Sequence, residues 1–250
     1  MRQESQLREP KAAIKLAAAS KFKVTDEVTD HASHQFLPQY IDIYQAGLEK
    51  VKMRDQPQRR ARFFHICQML QLTRGIPGYT AEAGVFRGLS SYLICRYLQR
   101  ELSTFSGETH FMIDSFEGLS QPVEKDGEFP VKRHGEGAFT HTSVETVKEA
   151  LSDFSGVNIF KGWIPDVFAK LPEQNYRFVH IDVDVYEPTL ASFRYFFPRL
   201  STGGVMMCDD FGPWANNNWP GCIRAVNEFA NETGVVYAVL NTGNVMFIKR

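Results

Sequence analysis

The chain reads as an α/β domain with a mostly parallel sheet of seven strands, helices on both faces and a helical cap at its N-terminal end. Three observations carry that reading. From Tyr79 onward, short β-prone runs alternate with helical patterns, the signature of parallel strands joined by crossover helices. Two runs, residues 178–182 and 204–208, are largely apolar and lead into paired acids, Asp182 with Asp184 and Asp209 with Asp210. The first run, residues 79–84, enters a loop with Gly84 and Gly88 four apart, ahead of a helix.

In order, residues 1–25 are polar with alanine-rich patches and read as a loose or helical arm. A helix is expected over 36–52, where Ile41, Tyr44, Leu48 and Val51 recur at near-helical spacing. A second is expected near 60–72, with Phe63, Ile66, Cys67 and Leu70 at i, i+3, i+4 and i+7. Gly75-Ile76-Pro77-Gly78 stops it. The chain thus divides into an arm and cap at 1–75 and a core at 76–250, together one structural domain. The cap is expected to lie over a substrate, or to pack against a second subunit in a homo-oligomer.

Further strands are expected at 109–114 and 157–160, with helices at 89–102, 144–152, 165–171, 188–200 and 222–232. Runs 235–240 and 244–248 flank the turn signal Asn241-Thr242-Gly243 and read as a terminal antiparallel pair. The loop 121–139 is long enough for a lid carrying His134, with His141 just after it.

Composition excludes several classes. A hydrophobic content of 43% and a charged content of 23% are ordinary for a globular protein. No apolar run approaches a membrane span. The polar start lacks a secretory signal pattern, and Cys67, Cys95, Cys208 and Cys222 are scattered without a CxxC pair, so a reducing cytoplasm is expected. The net charge of −1 offers no basic footprint for nucleic acid, and Arg59-Arg60-Ala61-Arg62 reads as a solvated helix face.

The motifs carry chemistry. In an open α/β sheet, ligands sit outside the carboxyl ends of the strands. Four acids there, Asp182, Asp184, Asp209 and Asp210, suit a hard divalent cation such as Mg²⁺. So many carboxylates repel one another unless a positive charge joins them or their pKa values rise. In the first loop, Glu82 replaces the glycine that a pyrophosphate needs, but it can accept a bond from an ammonium. The helix start after Gly88, with Ser90 and Ser91, can receive a carboxylate. S-adenosylmethionine presents both groups. Asp114, beside Ser115 at the end of the second strand, can hold ribose hydroxyls. Gly162 and Trp163 follow the third strand, where Trp163 either stacks on a base or fills core. His180 reads as a packed strand histidine. Trp214 and Trp219 suit a sugar or aromatic acceptor as well as loop packing.

These segments resemble the macrocin O-methyltransferase (TylF) family, and the sheet resembles the class I methyltransferase (Rossmann-like) layout. The matching stretches include Glu82-Ala83-Gly84-Val85-Phe86-Arg87-Gly88, Asp114-Ser115-Phe116-Glu117-Gly118, Lys161-Gly162-Trp163-Ile164-Pro165-Asp166, His180-Ile181-Asp182-Val183-Asp184-Val185-Tyr186 and Asp209-Asp210-Phe211-Gly212. Phe86, Leu89 and Phe211 depart from the family's usual residues. The resemblance implies S-adenosylmethionine and a divalent metal, usually Mg²⁺, methylating a hydroxyl of a small molecule, typically a sugar in antibiotic biosynthesis. It implies Asp182, Asp209 and Asp210 as metal ligands and Asp184 as catalytic base; Asp182 is expected among the catalytic and the cofactor-binding residues as well. Glu82, Gly84, Asp114 and Gly162 match cofactor positions. From residues alone, Asp184 and Asp182 can exchange roles. A catechol-type methyltransferase and a non-catalytic binding module are the alternatives; a nucleotide-binding reductase is disfavoured by Glu82.

Overall fold

The computed structural model describes residues 38–127, 138–212 and 219–250. Among these lie six α-helices and seven strands. Two helices, α1 (Pro38–Val51) and α2 (Pro57–Leu72), precede the sheet. Then follow β1 (Tyr79–Ala83), α3 (Leu89–Glu101), β2 (His110–Asp114), α4 (Val144–Ala150), β3 (Asn158–Lys161) and β4 (Tyr176–Ile181). The chain closes with α5 (Tyr186–Phe196), β5 (Leu200–Cys208), α6 (Pro220–Thr233), β6 (Tyr237–Val239) and β7 (Val245–Ile248). The arm at 1–25 lies outside the described residues, as do most of the expected lid, His134 and Trp214.

The sheet runs β3-β2-β1-β4-β5-β7-β6, with five parallel strands and β7 antiparallel to both its neighbours. Side chains alternate across it because the strand period is two. In β5, Val205 and Met207 join α1–α4 in one hydrophobic layer, while Met206 and Cys208 join α5 and α6 in the other. Burial on both faces makes the central strands nearly continuous apolar runs. The first layer spans Tyr40 and Tyr44 of α1, Phe63 and Ile66 of α2, and Phe178 of β4. The N-terminal helices therefore share the core of the sheet.

Boundaries shift for local reasons. The helix expected over 188–200 starts at Tyr186 and ends at Phe196, followed by one 3₁₀ turn, Phe197–Arg199. Phe197 itself keeps helical angles, but Pro198 has no amide N–H to donate to the Arg194 carbonyl, so the α-helical ladder ends there and the chain tightens into the 3₁₀ turn. Pro188 is tolerated because amides of a first helical turn lack partners anyway. Helix α6 likewise begins at Pro220 rather than Cys222. The segment expected as a helix over 165–171 forms a 3₁₀ turn, Asp166–Lys170.

Candidate active site

Strand order reverses between β1 and β4, so their carboxyl ends open a crevice there. A cavity of about 460 Å³ occupies it, bordered by Gly84, Ser90, Asp114, Trp163, Asp182 and Asp184. Gly84 sets its floor. Its φ is +88, and a Cβ there would stand 1.8 Å from the Asp182 carbonyl oxygen. Two bonds tie the strand ends at this level: Asp182 N donates to Ala83 O at 2.8 Å, and Gly84 N to Ile113 O at 2.9 Å.

Asp114 shapes the glycine loop. Its Oδ2 accepts from the amides of Val85 and Phe86 at 2.7 and 2.9 Å, and its Oδ1 from Phe116 N at 2.7 Å. Burial pushes this carboxyl up against the pull of those amides. Oδ1 keeps a lone pair that a hydroxyl can use. Ser115 Oγ donates to Gly118 O at 2.9 Å, within the turn. Gly162 N donates to Asp114 O at 3.0 Å, joining β2 to β3. Trp163 is 40% exposed at the rim, so it does not fill core. Ser90 is buried in the first turn of α3, whereas Gly88, the residue before that helix, does not border the cavity.

Glu82 stands elsewhere than an ammonium partner would. It is fully buried and does not border the cavity. Its carboxylate accepts from Ser91 Oγ and meets His180 Nδ1 at 2.9 Å. The strand period explains this: Ala81 and Ala83 face the α5–α6 layer, which turns Glu82 to the opposite side.

The four aspartates fall into two groups that share Asp182, and the expected triad of Asp182, Asp209 and Asp210 is not one of them. Asp182, Asp184 and Asp210 bring carboxylate oxygens within 4.8 Å of one another, and His180, Asp182 and Asp209 form a second such group, with Asp182 common to both. Asp184 and Asp210 have φ of 62° and 63°, the left-handed region that Asp tolerates better than most residues. Burial, then the charge of Asp209, pushes Asp182 up to about 6. Burial and Asp182 push Asp184 up to about 8. Burial and Asp184 carry Asp210 well above the usual carboxylate range. Asp209 goes the other way. Burial opposes its charge, but Arg62 and His180 outweigh that and hold it below the ordinary value. Burial would lower His180 too, yet hydrogen bonds to Asp209 and Glu82 hold it up at about 10.

Arg62 is the residue the sequence reading misplaced. It is no solvated helix charge: its Nη1 lies 3.2 Å from Asp209 Oδ2 and 3.4 Å from Asp210 Oδ1. The only sequence signal was its position beside Phe63, whose ring meets His180 edge-on at 6.4 Å. Asn244 was also missed. It donates through Nδ2 to Asp209 Oδ1, and Phe211 N donates to Gly243 O at 2.9 Å, so the β6–β7 turn buttresses the acid pair.

All four cysteines are free and buried. His141 has an exposed side chain, and Trp219 is buried beside the cavity. Among the described residues no helix is long and apolar enough to cross a membrane.

The chain is similar to several known proteins. Mycinamicin III 3''-O-methyltransferase of Micromonospora griseorubida is 27% identical over 179 residues, 68% of this chain and 66% of that protein. The 8-demethyl-8-(2,3-dimethoxy-alpha-L-rhamnosyl)-tetracenomycin-C 4'-O-methyltransferase of Streptomyces olivaceus is 26% identical over 179 residues, 68% of this chain and 64% of that protein. The matches thus span just under two thirds of these relatives' own length. Among solved structures, the O-methyltransferase NovP superposes with a TM-score of 0.64 at 22% identity, covering 75% of this chain and 79% of that one. The calicheamicin methyltransferase CalS11 gives 0.63 at 18%, covering 84% and 93%. Both establish the class I methyltransferase fold. The macrocin O-methyltransferase (TylF) family profile matches residues 52–247, and the chain belongs to that family.

Proposed function

We propose that this protein is a divalent-metal-dependent O-methyltransferase moving the methyl of S-adenosylmethionine to a hydroxyl of a small molecule, a sugar of a glycosylated natural product. The observation that carries the reading is the pair of acid groups that share Asp182 after β4 and β5, with Asp182, Asp184 and Asp210 bordering the glycine-loop cavity. The Streptomyces olivaceus relative, whose name gives a rhamnosyl-bearing tetracenomycin as its acceptor, supports the acceptor class.

The donor set fits a hard cation. Five carboxylates, those of Glu82, Asp182, Asp184, Asp209 and Asp210, gather around two cationic side chains, Arg62 and His180. Among the described residues, buried Asp209 Oδ2 accepts no hydrogen bond, and Arg62 Nη1 stands 3.2 Å from it as an ion-pair partner. Oxygen ligands in this number suit Mg²⁺. Asp182, Asp209 and Asp210 would hold it, where it would lower the pKa of an acceptor hydroxyl and orient it.

The chain's own groups do the rest. Asp184 accepts the acceptor's proton, once positive charge beside it brings its carboxyl down from about 8. Gly84 lets the backbone approach the donor, and Ser90 at the start of α3 receives its carboxylate. Asp114 with Ser115 receives the ribose, and Gly162 with Trp163 borders the base. Gly88 starts α3 and sets the direction of that helix. Glu82, buried under the loop, positions His180 rather than touching the donor. Met53, Gln56 and Arg59, at and before the start of α2, form the acceptor side of the cavity.

Calorimetry with S-adenosylhomocysteine, with and without Mg²⁺, tests this on wild type and Asp209→Ala. Wild type should bind both, and the variant should keep the nucleoside while losing the metal. Methyl transfer to a glycosylated acceptor that is indifferent to chelation of divalent ions would overturn the metal assignment.

A further inference from the structure

We infer that Arg62 is the built-in counter-ion of the acid cluster, competing with a divalent cation for Asp209 and Asp210 and so setting how tightly the site takes that cation. The inference rests on the proposed cation site and concerns what this chain brings to it.

The geometry is specific. Arg62 Nη1 lies between the two acids, at 3.2 Å from Asp209 Oδ2 and 3.4 Å from Asp210 Oδ1. The guanidinium also feels the charges of Asp182 and Asp184. Its side chain is one-fifth exposed and borders the cavity, so it can withdraw without unpacking the core. Its helix cannot withdraw as easily: Phe63, Ile66, Cys67 and Leu70 pin α2 into the layer shared with β4 and β5. Arg62 is thus a tethered charge on a fixed base. Its partners are not interchangeable. Asp209 is held on its other oxygen by Asn244 and His180, whereas Asp210 shares its surroundings with Asp182 and Asp184. A cation held by Asp209 and Asp210 would stand beside the guanidinium that now faces both carboxylates, and like charges at such distances repel, so the two would compete. α2 also borders the acceptor side of the cavity through Arg59 and Phe63. Cation entry and acceptor recognition therefore act on the same helix.

The test is Mg²⁺ calorimetry on the full chain, comparing wild type with Arg62→Met and Arg62→Lys, alongside melting curves with and without Mg²⁺. Arg62→Met removes the competing charge at similar length. It should bind Mg²⁺ at least about tenfold tighter, melt lower than wild type without the ion, and regain most of that loss with it. Arg62→Lys keeps a charge and should stay within about threefold of wild type. If Arg62→Met does not fold, Arg62→Gln carries the same expectation. Unchanged or weaker Mg²⁺ binding in the uncharged variants would overturn the inference, because Arg62 would then only position the acids. Wild type binding no Mg²⁺ while Arg62→Met binds it would support the competition but sink metal dependence of the native protein. Binding by neither would overturn both.

Discussion

Gly84→Ala tests the link between the glycine loop and the acids. The residue sits at φ +88, and its added Cβ would meet the Asp182 carbonyl at 1.8 Å, where real Cβ atoms essentially never come below 3.0 Å. One of the two strand ends must retreat by about 1 Å. The left-handed backbone costs a non-glycine residue about 1–2 kcal/mol. Retreat strains the Asp182–Ala83 or Gly84–Ile113 bond, each worth about 1 kcal/mol. The total is about 2–3 kcal/mol, or roughly 4–12 °C in melting temperature for a domain of this size. A displacement of about 1 Å at Asp182 should also lower turnover about 10²-fold. Gly234→Ala supplies the control, with φ +69 and nothing within 4 Å of the added Cβ, so it should show the backbone cost alone. Melting curves and S-adenosylhomocysteine calorimetry read both variants. Equal melting losses in the two would show that the contact with Asp182 is relieved without consequence, and the reasoning fails.

Three other outcomes are expected. Asp184→Ala should lower turnover about 10²–10⁴-fold with S-adenosylhomocysteine affinity unchanged; a variant that no longer binds Mg²⁺ would make Asp184 a ligand instead of the base. Asp126 is buried, with Oδ1 accepting from Tyr186 N at 2.8 Å and Oδ2 from Val123 N at 2.9 Å, so Asp126→Ala should cost about 2–3 kcal/mol in urea unfolding. A loss below about 0.5 kcal/mol would mean that water replaces both bonds. His110 is fully buried, and burial lowers it to about 4, against about 6.5 in the unfolded chain. Between those values the unfolded chain binds a proton that the folded chain refuses, so stability falls as pH drops, by about 2 kcal/mol from pH 6.5 to 5. Unfolding of wild type and His110→Gln at both pH values measures this, and identical slopes would contradict it.

The cap reading shows how far local pattern reaches. The spacing of Phe63, Ile66, Cys67 and Leu70 gave the right buried face of α2, because helical periodicity is a property of neighbouring residues. It said nothing of where Arg62, one residue before that stripe, would point. The same limit applies to Glu82, whose identity in the loop was legible but whose side was set by the pairing of β1 with β4.

What the sequence by itself determined is the alternation of strands and helices, the glycine loop and the acids closing β4 and β5. These are written in runs of a few residues, where turn chemistry and side-chain period dominate. Only the tertiary structure decided that Arg62 and Asn244 meet Asp209 across separations of 147 and 35 residues. Which distant charges face one another depends on how buried layers stack, and layer stacking follows from the sum of many weak apolar contacts rather than from any single motif.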